Sequence, residues 1–126
     1  MRLLVDSTFV IDYLKGDPTA HERWRTVFED GDDPVVNEIV VCEVRAGLLP
    51  HEEPYLRAFL EPVEFLQPGP EAAIHAGRWR AEARARGRTL SLEDALIASA
   101  AQAGDAVVLT RNVRDFALTP VRIATY

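Results

Sequence analysis

The 126-residue sequence predicts an α/β fold, a mostly parallel sheet covered by helices on both faces. Two observations carry that reading. Short apolar runs alternate with longer amphipathic segments along the whole chain. Strands separated by helices need crossover connections, which makes them parallel and buries both faces of the sheet. The composition agrees, since 48% hydrophobic and 27% charged residues suit a globular chain, and the length predicts one domain spanning residues 1–126.

Arg2 to Val5 reads as a buried strand that ends at Asp6. Ser7 to Leu14 is a short helix stopped by Gly16 and Pro18. Thr19 to Glu29 is a second helix, with Trp24, Val27 and Phe28 at helical spacing. Pro34 to Val36 is a short strand, after which Asn37 caps a helix running from Glu38 to about Leu48. Pro54 to Leu60 is helical and Val63 to Leu66 a strand, closed by the breakers Gln67-Pro68-Gly69-Pro70. The Ala- and Arg-rich stretch from Glu71 to Arg86 is strongly helical and ends at Gly87. Ser91 caps a last long helix, Leu92 to Ala103, closed by Gly104. Ala106 to Leu109 is a second fully apolar strand, and Val121 to Ile123 a final one.

Several function classes drop out on composition. No apolar run is long enough to span a bilayer, and Asp6 interrupts the first one before a signal-peptide core can form. The expectation is a cytoplasmic protein without membrane contact. The single cysteine, Cys42, excludes an internal disulfide and a cysteine-rich zinc site, and its apolar neighbours suggest a buried packing role. The net charge of −6 argues against nucleic-acid binding by broad electrostatics, so such a partner needs a local basic surface or bound cations.

Three acids stand out by position. Asp6 follows a buried strand, and ligands of parallel sheets bind beyond the strands' carboxyl ends. It is placed to hold a metal, and equally to cap the next helix. Glu43 has Ile39, Val40, Ala46 and Gly47 one turn away, so it shares an apolar stripe and needs a proton, an arginine partner or a metal. Gly47 suggests that another element approaches closely there. Asp94 lies in the first turn of its helix, where it completes a capping box with Ser91 or offers an ionised carboxylate to a metal; Glu93 competes with it. Leu92, Ala95, Leu96, Ser99, Ala100 and Ala103 form the core stripe of that helix. Thr110-Arg111-Asn112 follows the second apolar strand as Asp6 follows the first, with Asp115 three residues on. Asn112 suits coordination through its amide oxygen or a bond to a metal-bound water, and the segment also reads as a plain polar turn.

Four blocks in order carry a resemblance: Leu4-Val5-Asp6-Ser7-Thr8-Phe9-Val10-Ile11-Asp12-Tyr13-Leu14, Cys42-Glu43-Val44-Arg45-Ala46-Gly47, Leu92-Glu93-Asp94-Ala95-Leu96-Ile97-Ala98-Ser99-Ala100, and Leu109-Thr110-Arg111-Asn112-Val113-Arg114-Asp115-Phe116. Over nearly its whole length the chain resembles the PIN-domain family, particularly VapC-like toxins of bacterial toxin–antitoxin pairs. The resemblance implies a three-layer α/β/α sandwich and an endoribonuclease whose metal-binding acids are Asp6, Glu43 and Asp94. Asn112 stands at a fourth position where many members carry Asp, which removes one negative charge and leaves one-ion and two-ion arrangements both open. Ser7 or Thr8 matches a small hydroxyl position. Ser7, Thr110, Asp115 and Glu93 are auxiliary candidates. A cognate antitoxin and a homodimer are also implied.

Oxygen ligands without clustered thiol or imidazole suit Mg²⁺ or Mn²⁺. Such an ion activates a water, neutralises the scissile RNA phosphodiester and reverses the sign of the acidic pocket. By family analogy the products carry a 5′-phosphate and a 3′-hydroxyl. Arg78, Arg80, Arg84, Arg86 and Arg88, with Arg45, Arg111 and Arg114, are candidates for gripping RNA or simply a solvated face. A haloacid-dehalogenase-like phosphatase would need an acid where Thr8 stands. A non-catalytic PIN-like module binding RNA or protein is the other alternative.

Overall fold

The computed structural model describes residues 1–126. Five strands, β1 (Arg2–Val5), β2 (Asp33–Asn37), β3 (Glu64–Leu66), β4 (Val107–Leu109) and β5 (Ile123–Ala124), form one sheet in the order β3-β2-β1-β4-β5. All four pairings are parallel, with Leu4 opposite Val35 on one side and Val108 on the other. The seven helices are α1 (Ser7–Leu14), α2 (Pro18–Glu29), α3 (Glu38–Ala46), α4 (Glu53–Leu60), α5 (Pro70–Ala85), α6 (Leu92–Ala103) and α7 (Val113–Phe116). This is the α/β architecture anticipated, with a fully parallel sheet.

The strand order has a functional consequence. The chain winds outward from β1 to β3, then returns to the centre and winds the other way through β4 and β5. The reversal falls between β1 and β4, and the crevice beyond the carboxyl ends at such a switch point is where α/β sheets bind ligands. Asp6 leaves β1 there, and Thr110 leaves β4 beside it. The backbone N–H of Asp6 donates to Leu109 O at 3.1 Å, which fixes the two strand ends together.

Near-continuous apolar strands explain the core. Leu3, Leu4, Val5, Val35, Val36, Val108 and Leu109 are essentially inaccessible, and Phe9 and Phe116 close over them. Helix α6 is buried more broadly than a single stripe requires. Ala95, Ser99 and Ala100 are buried as expected, and so are Ile97, Ala98 and Ala101, because α6 packs on both the sheet and α5. Its ends escape: Leu92 is 51% exposed and Ala103 is exposed.

Boundaries moved where local chemistry decided them. Helix α3 stops at Ala46, two residues early, because Gly47 caps it. Helix α2 begins at Pro18, with Asp17 accepting from the Ala20 N–H. A 3-10 turn at Pro50–Glu52 and the short helix α7 were not anticipated. The final strand lies at Ile123–Ala124, not Val121–Ile123. Cys42 is exposed, so its packing role is corrected; the apolar stretch around it is helical and Cys42 faces outward.

Candidate active site

The buried Asp6 combines the two roles its position allows. It caps α1 by accepting from the Ser7 N–H at 2.8 Å on Oδ1. Its Oδ2 accepts from Thr8 Oγ1 at 3.0 Å and from Thr110 Oγ1 at 2.7 Å. A carboxylate only 2% exposed is therefore fixed by donors from α1 and from the end of β4.

Ser7 ties this acid to the next. Its hydroxyl oxygen lies 3.0 Å from Glu43 Oε1, the nearer of its two acceptors, against 3.4 Å to Asp6 Oδ1. Glu43 is half-buried on α3. Burial pushes its pKa above the ordinary carboxylate value; the Ser7 hydrogen bond opposes this, and the charges of Asp6 and Glu93 reinforce it. Two expectations about its surroundings are corrected. Ala46 and Gly47 are exposed because α3 ends there, and a Cβ at Gly47 would meet only carbonyls of α3 itself.

Asp94 enters from the first turn of α6. Ser91 Oγ accepts from its N–H at 3.0 Å, but the Asp94 side chain does not complete the capping box. Instead its Oδ2 accepts from Asn112 Nδ2 at 3.3 Å. Burial is the main cause that raises the Asp94 carboxyl to a pKa of about 6, with the charges of Asp6, Asp115 and Glu43 adding to it and Ser91 opposing. The asparagine at the fourth position thus has a specific use. An amide donates to a neighbouring carboxylate, which an ionised aspartate in its place could not do. Asn112 is itself held, its N–H donating to Thr110 Oγ1 at 2.8 Å.

The structure therefore brings Asp6, Glu43, Asp94, Asp115 and Glu93 into one electrostatic field, with Ser7, Thr110 and Asn112 bonded to the first three. None of the molecule's ion pairs includes Asp6, Glu43 or Asp94, so the buried salt bridge considered for Glu43 is absent. No three His, Cys, Asp or Glu side chains converge to hold a metal ion. The carboxylate oxygens are turned toward hydroxyl and amide donors instead. The donor set itself fits a hard divalent cation: acid and hydroxyl oxygens, no thiol or imidazole, and charge of one sign with no basic partner.

Two nearby arginines are engaged elsewhere. Arg45 pairs with Glu53 at 2.7 Å, and Arg111 pairs with Asp17 at 3.2 Å and Asp12 at 3.7 Å. Arg111 also stacks over the Tyr126 ring, 4.6 Å from its centre. Tyr126 Oη donates to Asp12 Oδ2 at 2.6 Å, and its ring meets the edge of Phe9. This latch braces α1 against the segments after β4 and β5, and sequence reading missed it because Tyr126 and Asp12 stand 114 residues apart. Tyr126→Phe should lower stability by about 1.5–3 kcal/mol, as expected for a hydrogen bond to a charged group. An unchanged urea midpoint would show that Arg111 alone holds Asp12.

An all-parallel sheet with electrostatically coupled acids near its switch point defines a protein of the doubly wound α/β class. The PIN domain model matches residues 3–120, and the chain belongs to the PIN-domain family. Ribonuclease VapC19 of Mycobacterium tuberculosis is 32% identical over 117 residues, covering 93% of this chain and 94% of that protein. In the DNA-bound VapBC crystal structure from Salmonella typhimurium, a 28% identical chain superposes with a TM-score of 0.84, over 99% of this chain and 98% of that one. VapBC2 from Rickettsia felis, bound to a DNA fragment from its promoter, shares the fold at a TM-score of 0.87 and 20% identity, over 100% of this chain and 99% of that one. Family membership sets the phosphatase alternative aside. No helix is long and apolar enough to cross a membrane.

Proposed function

We propose that this protein is a divalent-metal-dependent endoribonuclease, the toxin of a toxin–antitoxin pair, with Asp6, Glu43 and Asp94 as the acids that hold Mg²⁺ or Mn²⁺. The carrying observation is the cluster of partly buried acids at the switch point, with raised pKa values at Glu43 and Asp94 and no basic side chain to neutralise them. The names of its relatives, a VapC ribonuclease and the VapBC complexes, support the same reading. We extend it to one domain over residues 1–126, a cytoplasmic homodimer and a cognate antitoxin.

A bound divalent ion would supply Lewis acidity for a water nucleophile and charge neutralisation for the scissile phosphodiester. The chain's own residues do the rest. Thr8 and Thr110 fix one Asp6 oxygen, and the Ser7 N–H holds the other at the start of α1. Ser7 orients Glu43, and Asn112 orients Asp94. Asp115 adds negative charge beside Asp94, while exposed Glu93 acts only through its field.

The test is RNA cleavage by the purified chain with Mg²⁺, with Mn²⁺ and with excess EDTA. Cleavage should require either ion and stop in EDTA; full activity in EDTA sinks the metal-dependent reading. Two observations favour a second reading, a non-catalytic PIN-like RNA- or protein-binding module: Asn112 stands where an acid could, and no three acids converge to hold a metal. That module would bind RNA or protein and cleave nothing under any of the three conditions.

A further inference from the structure

The molecule is acidic, yet five of its 14 basic residues crowd between positions 78 and 88, with Glu82 the one acid among them. Their environment differs from that of six of the other nine Lys and Arg side chains; Lys15, Arg23 and Arg114 likewise belong to no ion pair, but stand singly along the chain. Arg2, Arg25, Arg45, Arg57, Arg111 and Arg122 all pair with carboxylates. Arg78, Arg84, Arg86 and Arg88 are exposed and belong to no ion pair, while half-buried Arg80 donates from Nε to Leu90 O at 3.0 Å.

Topology puts the end of this patch near the first turn of α6. Helix α6 leads into β4, so it runs against the strands and its amino end lies at the carboxyl edge of the sheet, with Asp94 in its first turn. Helix α5 packs along α6 and reaches it through a short connection, so the last turn of α5 ends at that same edge. The connection is rigid. Gly87 turns with φ +71°, the Arg88 N–H donates to Ala83 O at 2.8 Å, and Leu90 is buried. Arg84, Arg86 and Arg88 are therefore displayed on a fixed turn that leads into the first turn of α6, which carries Asp94.

We propose that Arg84, Arg86 and Arg88 form a phosphate-binding track for single-stranded RNA flanking the cleaved bond. The proposal rests on the ribonuclease reading above for its biological meaning. Planar guanidinium groups without carboxylate partners match phosphate oxygens, and they supply the local basic surface that an acidic protein needs for RNA. A protein-docking surface would carry an apolar centre. No large apolar side chain is exposed between residues 75 and 91; Ile74 and Leu92 only flank the patch.

The experiment compares the parent with the variant Arg84→Gln, Arg86→Gln, Arg88→Gln, leaving Arg80 to anchor the turn. Binding of a fluorescent single-stranded RNA of about 20 nucleotides is measured in EDTA across a salt series, then cleavage kinetics are measured with Mg²⁺. Each phosphate contact on a single strand contributes roughly 0.7 to the salt slope, so the slope should fall by about 2 and affinity by at least about tenfold. KM should rise by a comparable factor, with kcat changing far less. The corresponding triple Lys variant should restore the slope. An unchanged slope in the Gln variant overturns the track, even if the parent cleaves RNA, and so does a parent that binds no RNA. A polyglutamate chain that competes as strongly as RNA, and loses affinity equally in the variant, also overturns it in favour of an acidic protein partner. A parent that binds RNA through the patch but cleaves none keeps the track and removes the ribonuclease reading.

Discussion

Asp6→Asn should reduce RNA cleavage by on the order of 10³-fold while leaving a folded protein, because it removes a metal-binding charge from a position that still needs a polar side chain. Several kcal/mol of charge stabilisation at a metal-dependent transition state corresponds to a loss of that size. The fold tolerates the change for an identifiable reason. An asparagine oxygen can keep the cap to the Ser7 N–H, and its NH₂ faces two hydroxyls, Thr8 and Thr110, that can rotate to accept. Asp6→Ala is the informative contrast. It strips the cap and leaves buried donors without a partner, so it should cost about 2–4 kcal/mol as well as activity. Single-turnover cleavage and urea unfolding measured on both variants separate the two effects. Retention of activity within about tenfold in Asp6→Asn would remove this residue from the metal-binding set.

That separation also explains what was legible in the sequence. The central strands β1, β2 and β4 were visible because parallel strands buried on both faces read as unbroken apolar runs, and Leu3-Leu4-Val5 has no other use. Asp6, Glu43 and Asp94 stood out because each carboxylate interrupts or borders such an apolar pattern. Their connections were invisible. The Ser7–Glu43 and Thr110–Asp6 bonds span 36 and 104 residues, and no periodicity encodes contacts that only tertiary folding creates. Asn112 shows the limit most clearly. Against the pattern of the family it resembles it is a missing charge; in the structure it is a donor to Asp94, a role that depends on where α6 and α7 start. Cys42 failed for the opposite reason, since an apolar neighbourhood in sequence becomes two faces once it coils into α3.

Asp94→Asn should move activity and stability in opposite directions. Asp94 has a folded-state pKa of about 6 against an ordinary value of 3.8, raised first by burial and then by Asp6, Asp115 and Glu43. A raised pKa means that the folded state binds the proton more tightly than the unfolded chain. The resulting stabilisation is complete below pH 3.8 and is lost as pH rises through about 6. At neutral pH the ionised side chain therefore works against folding, and asparagine relieves it while still accepting from Asn112. In EDTA at about pH 7.5 the variant should melt several degrees above the parent, and the difference should vanish near pH 4, where Asp94 is already protonated. A divalent cation reverses the order. Mg²⁺ at about 100 times its Kd should stabilise the parent by roughly 2.7 kcal/mol and the variant far less. The same protons compete with the cation, so the Mg²⁺-dependent rise in Tm should shrink as pH falls below about 6, and cleavage should fall with it. Equal Mg²⁺ shifts in parent and variant would show that Asp94 serves only the amino end of α6. A variant less stable than the parent in EDTA would show instead that the cluster is neutralised by a route other than a metal.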